Sequence, residues 1–186
     1  LTLDLRDRVV SALGEVQGHK VVRDGTEGKN QTLGEAIKVA RLAELALEIH
    51  FNYNAPGAKG AECFGTATTR ALCQRFAQAV ARHMGHGRRG PDKGYKHHTE
   101  SARGPLGFCR AGGVVLEVCF LNDTNLSVYL PKRVAIARAI AGVVRDQVGQ
   151  GEVRGAVGKA SLASLGGLGW PARGRRRVGP GTDSRR

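Results

Sequence analysis

The sequence predicts an α/β domain, a mainly parallel or mixed sheet with helices on both faces, followed by a disordered basic C-terminal tail. Three observations carry this. Stretches with apolar residues at helical spacing alternate with short apolar runs of strand length. The most apolar run, Val114-Val115-Leu116-Glu117-Val118-Cys119-Phe120, has the length of one buried strand. Composition then shifts abruptly after Gln150.

Taken in order, Leu5, Val9, Ala12 and Leu13 share one face of an opening helix that Gly18 is expected to end. His19 to Arg23 reads as a short strand, closed by the turn-prone Asp24-Gly25. Leu33 to Leu45 has helical spacing, and Ala46 to Phe51 follows as a strand. After a loop rich in Asn, Pro and Gly, Ala61 to Gly65 is a short strand, and Thr66 to Met84 a helix with Leu72, Phe76, Ala79 and Val80 along one side. Gly85 to Gly107 is Gly-rich, basic and aperiodic, which predicts a long surface loop, and its His97-His98 pair is expected to be solvated. The strand at Val114 to Phe120 precedes a helix expected over 131–148, with Pro131 at its start. Residues 1–150 therefore read as one domain. Residues 151–186 hold nine glycines, one aromatic residue and the run Arg173-Gly174-Arg175-Arg176-Arg177, which predicts disorder.

Among the 186 residues, 29 Lys and Arg stand against 16 Asp and Glu, a formal charge of +13. The first 150 residues hold 21 of those basic residues and 14 of the acidic ones; the last 36 hold 8 and 2. Nearly half of the excess thus lies in a fifth of the chain. No run of about 18 apolar residues is present, so no transmembrane helix is expected. Cys63, Cys73, Cys109 and Cys119 form no CxxC pair, and buried reduced thiols are the expectation.

Two ionisable residues interrupt strands that are otherwise apolar: His50 and Glu117. Burying a carboxylate costs several kcal/mol unless it is paired, hydrogen-bonded or beside a metal. In open α/β sheets, functional groups gather at the carboxyl ends of strands. A His and a Glu delivered from two strands to one edge suit a zinc-bound water with a carboxylate base.

Leu47-Glu48-Ile49-His50-Phe51-Asn52, then Gly60-Ala61-Glu62, then Val115-Leu116-Glu117-Val118-Cys119-Phe120-Leu121-Asn122 resembles the zinc-dependent N-acetylmuramoyl-L-alanine amidases of bacterial and phage cell-wall type, the amidase-3 family. That family reads approximately S-I-H-x-N-A, then G-x-E, a helix, an R-G loop, and V-L-x-E-x-G-F-x-S-N. Arg89-Gly90 matches the loop, and Gly107 to Arg110 falls where a short strand is expected. The resemblance spans about Leu1 to Val148. It implies His50 as a zinc ligand, Glu117 as the catalytic glutamate and Glu62 in a supporting role. The implied reaction is hydrolysis of the amide between N-acetylmuramic acid and L-alanine in peptidoglycan, by a phage endolysin or a bacterial autolysin, acting as a monomer with Zn2+ as cofactor.

The departures from the pattern also carry expectations. Glu48 stands where the family prefers a small residue, and Cys119 where it often has Gly. The family's other two zinc ligands precede the stretch matched by Leu1 to Leu5. The chain is therefore expected to lack the first strand and those ligands, and to have little or no amidase activity as written. The alternative from charge alone is a basic nucleic-acid-binding protein without catalysis. Against it, no known nucleic-acid-binding motif is present and aromatic residues for base stacking are few. Attraction to an anionic cell wall accounts for the same charge.

Overall fold

The computed structural model describes residues 1–14, 19–24, 31–53, 56–149 and 159–163. Along the chain run α1 (Thr2–Leu13), β1 (Lys20–Arg23), α2 (Leu33–Leu42), β2 (Leu45–Asn52), β3 (Glu62–Gly65), α3 (Arg70–Met84), β4 (Tyr95–His97), the helical turn α4 (Gly107–Arg110), β5 (Val114–Phe120), α5 (Asp123–Gly149) and β6 (Lys159–Ala163). The strands form one mixed sheet in the order β1-β6-β2-β5-β3-β4. Neighbours run parallel except β3, which is antiparallel to β5.

Helices cover both faces, as the alternation of elements predicts. Side chains at alternate strand positions face opposite sides. Leu45, Leu47 and Ile49 of β2 join Leu116 of β5 in a large core with Leu5 and Val9 of α1, Phe76 and Val80 of α3, and Ile140 and Val144 of α5. The intervening positions serve a smaller core: Ala46, Val115 and Phe64 pack with Ala36 and Ala40 of α2 and Phe108 and Cys109 of α4. One face is thus roofed by three helices. The other has only the ten-residue α2 and a single turn, which leaves part of it open for polar groups.

Several boundaries differ from expectation, each for a physical reason. The first helix closes at Gly14, whose φ of 60° lies in the left-handed region; Gly18 lies outside the described residues. Helix α2 begins where expected because Thr32 and Glu35 form a reciprocal capping box. Residues 66–69 are no part of the regular helix: a 3-10 turn over Ala67–Thr69 leads into α3. The final helix begins at Asp123, not at Pro131. Asn122 accepts a hydrogen bond from the Asn125 amide (2.9 Å) in the manner of an N-cap, and the helix runs on through Pro131.

The segment Gly85 to Gly107 is not wholly loop, since β4 pairs with β3 and a 3-10 turn follows over His98–Glu100. His98 is buried there, contrary to the expected solvation. The strand expected at Gly107 to Arg110 is instead the helical turn α4. Phe108 and Cys109, adjacent in sequence, both reach the same small core, which strand alternation would not permit. Within the tail expected to be disordered, Lys159–Ala163 pairs in parallel with β1 on one side and β2 on the other. The rest of that segment lies outside the described residues.

All four cysteines are buried free thiols, as expected. Burial pushes the Cys109 and Cys119 thiols up to about 12. Among the described residues, no helix is long and apolar enough to cross a membrane.

Candidate active site

The sheet register brings the three sequence-predicted residues together. His50 of β2 lies directly opposite Glu117 of β5, and Glu117 lies opposite Glu62 of β3. Strand neighbours are about 4.8 Å apart, so residues separated by up to 67 positions in sequence share one patch of the sheet. By alternation that patch is on the α2 and α4 face: Ala46, Glu48 and His50 follow one another at every second position, as do Val115 and Glu117, and Glu62 and Phe64.

A bulge shapes its rim. Between His50 and Asn52 of β2 the register with β5 shifts, Asn52 pairing with Phe120. The extra residue on β5 lets consecutive Val118 and Cys119 both join the large core. It also carries the chain on to Asn122, which, with Asn125, ties the end of β5 to the loop before β3. The Asn122 and Asn125 amide groups donate to the Ala58 carbonyl at 3.2 and 2.9 Å, and Asn125 donates to the Phe120 carbonyl at 3.1 Å.

Each ionisable group has a distinct environment. Glu62 is 2% exposed and paired: Asn52 Nδ2 donates to its Oε1 at 2.8 Å, while Lys96 Nζ and Arg89 Nε lie at ion-pair distance from Oε2, 2.9 and 3.0 Å, without hydrogen-bond geometry. Two cations and an amide gather around it. Arg89 is itself held over the Phe120 ring at 4.6 Å. His50 Nε2 contacts Glu48 Oε1 from two residues back on the same strand. Burial disfavours the charged imidazole, but Glu48, and Glu117 behind it, outweigh that effect and raise its pKa.

Glu117 is the group left without such help. Its Oε2 is buried with no hydrogen-bond partner. Burial pushes its carboxyl up to about 7; Glu62 and Glu48 add to the rise, while His50 and Arg103 oppose it. A carboxyl that gains and loses its proton near neutrality, next to an imidazole and open to one side of the sheet, can take a proton from a water and return it.

His50 and Glu117 were legible in sequence as ionisable residues inside apolar strands, and Glu62 through the family pattern. Glu48 was noticed only as a departure from the family pattern, and Arg89 only as part of the Arg-Gly pair. Asn52 entered only as the last residue of the matched motif and Lys96 and Arg103 carried no local signal, because the roles of all three depend on strand register and on how the segment after α3 returns to the sheet.

The imidazole and carboxylates are the donor types that zinc takes. Among the described residues, however, no group of three or more His, Cys, Asp or Glu side chains is placed to hold one metal ion. His50 Nε2 is already engaged by Glu48. The described residues alone therefore do not make up the three-ligand arrangement of a catalytic zinc centre.

No protein-family profile matches the chain, and no curated protein does. Solved structures do. A protein from Neisseria meningitidis assigned as an N-acetylmuramoyl-L-alanine amidase is 34% identical, with 80% of this chain and 82% of that one covered and a TM-score of 0.72. The catalytic domain of the N-acetylmuramoyl-L-alanine amidase CwlV from Bacillus (Paenibacillus) polymyxa shares the fold at 20% identity, covering 79% and 82% with a TM-score of 0.60. An N-acetylmuramoyl-L-alanine amidase from Clostridium difficile 630 does so at 15% identity, covering 83% and 84% with a TM-score of 0.57.

Proposed function

The chain belongs to the N-acetylmuramoyl-L-alanine amidase family, and from that premise we propose that it hydrolyses the amide between the lactyl group of N-acetylmuramic acid and L-alanine in peptidoglycan, with Glu117 as the proton-transfer group. The observation that carries this reading is the Glu117 carboxyl: pushed up to about 7, unpartnered at Oε2 and in register with His50.

In this reading Glu117, as carboxylate, accepts a proton from the attacking water at Oε2. It then delivers that proton to the leaving nitrogen, so the C–N bond breaks to a lactyl carboxylate and the free amine of L-alanine. A carboxyl near 7 suits both transfers, since it is neither too weak a base for the first nor too weak an acid for the second. Glu62, paired with Arg89 and Lys96, supports the site electrostatically, adding to the rise at Glu117. Glu48 fixes the ring of His50.

His50 is the residue we propose as a zinc ligand. Bound zinc would supply Lewis-acid polarisation of the water and the scissile carbonyl. The described residues supply this one imidazole and no three-residue donor group. The nucleic-acid reading is not favoured: the charge that suggested it suits a wall carrying anionic polymers equally, and the fold is that of the amidases. The test is product chemistry. Purified peptidoglycan incubated with the full chain and zinc should yield new L-alanine amino termini and no new reducing sugar ends; reducing ends without alanine termini would refute the assignment.

A further inference from the structure

A second concave site lies beyond the Glu62 cluster, where α3 ends. Gly85 adopts the left-handed conformation, φ 70°, and turns the chain back alongside the last turns of the helix. The returning segment is anchored at both ends, to β3 and to the residue just before it. The Arg89 amide donates to the Ala61 carbonyl at 2.8 Å, and the Cys63 amide donates to the Gly94 carbonyl at 2.7 Å. At Gly94 the segment presses so closely on α3 that a Cβ there would come within 2.4 Å of the Ala77 methyl group. Between helix and segment is a cavity of about 460 Å³, within the usual range for small-ligand pockets.

The charged side chains lining it are all cationic. Arg82 comes from α3, and Arg88 and Lys93 from the returning segment. None of the three has an ion-pair partner among the described residues. The one acidic residue of the segment, Asp92, is already occupied by Arg70 at 2.7 Å and Gln74 at 2.8 Å. His86 also lines the cavity, with both ring nitrogens buried and without a hydrogen-bond partner. Lys93 holds a φ of 52°, a conformation unfavourable for a residue with a side chain. Three cations without ion-pair partners, converging from the helix and the segment on one cavity, repel one another unless an anion joins them. The α3 C-terminus offers only about half a negative charge.

We propose that this pocket binds a phosphate group carried on an anionic wall polymer, with Arg82, Arg88 and Lys93 as its cationic contacts. Phosphate suits the site better than a single carboxylate because it presents more acceptor oxygens to several cations at once, and guanidinium groups meet such oxyanions with paired N–H donors. The choice of a wall polymer as the source rests on the amidase reading; phosphate binding does not. Because Arg88 bridges to Ala61, next to Glu62, a polymer held here is tethered beside the proposed active site.

The test is calorimetric titration of the full chain with inorganic phosphate, a glycerol-phosphate oligomer and single-stranded DNA of equal charge. Wild type should bind phosphate, and bind the oligomer more tightly than the DNA. The double variant Arg82→Gln/Arg88→Gln should lose roughly tenfold or more in affinity. A control, Lys132→Gln/Arg138→Gln, removes the same charge from exposed positions on α5 and should stay within about twofold, because surface charges far from the ligand are screened. Circular dichroism checks that both variants fold. Equal loss in the control, or no phosphate binding by wild type, overturns the site, and preference for DNA overturns the wall-polymer assignment. Glu117→Gln should bind phosphate as wild type does, so failure of the amidase reading and failure of this pocket are read separately.

Discussion

Glu117→Gln should remove a pH dependence of stability that wild type shows on the alkaline side of pH 4.5. In the folded chain burial pushes the carboxyl up to about 7 from the 4.5 of an unfolded chain. Below 4.5 both states hold the proton. As pH rises through the window between the two values, the unfolded chain releases its proton while the folded one retains it, so folding loses stability until about pH 7 and then levels off. At about 1.4 kcal/mol per pH unit the full loss is roughly 3 kcal/mol, of which about 2.5 kcal/mol falls between pH 5 and pH 8. Urea denaturation of both proteins at those two pH values, in chelator so that metal takes no part, measures it. The stability of wild type relative to the glutamine variant should drop by that amount from pH 5 to pH 8. An identical pH dependence in the two proteins would refute the claim that Glu117 is held neutral by its surroundings.

Three further outcomes follow from the packing. Asn125→Ala should cost about 1–2 kcal/mol in denaturation midpoint measurements, because the 1% exposed Asn125 amide group donates to the Ala58 and Phe120 carbonyls, which would each keep only their bond from Asn122. Gly94→Ala should destabilise by more than about 1 kcal/mol, since the position needs φ 88° and a Cβ meets Ala77; wild-type stability in that variant would contradict the described close approach. The four thiols, buried and with Cys109 and Cys119 pushed up to about 12, should resist a thiol-reactive dye in the native state and react once urea unfolds the chain.

What could be read from the sequence, and what could not, divides by range of interaction. Strand β5 was legible at both ends because Val114 to Phe120 is a continuous apolar run, and the ionisable residues within β2 and β5 stood out against it. Strand β4 was not, because three residues, Tyr95 to His97, have no periodicity and become a strand only by pairing with β3. The start of α5 was obscured by a local rule that usually holds: Pro131 looks like a first helical residue, whereas Asn122 provides the cap and the helix begins at Asp123, eight residues earlier than expected. The same division holds at the site. His50 and Glu117 declared themselves as ionisable groups in apolar surroundings and Glu62 through the family pattern, but that Lys96 and Arg89 would pair with Glu62 and leave Glu117 unpartnered depends on how the segment after α3 returns to the sheet.

The central claim is that Glu117 transfers the proton in cleavage of the muramoyl–alanine amide. The most direct measurement compares the rate at which alanine amino termini appear from purified peptidoglycan, at saturating zinc, for wild type and Glu117→Gln. Wild type should release them slowly and the variant at least about a hundredfold more slowly, as loss of a general acid–base group requires. Equal rates in the two proteins would contradict the account.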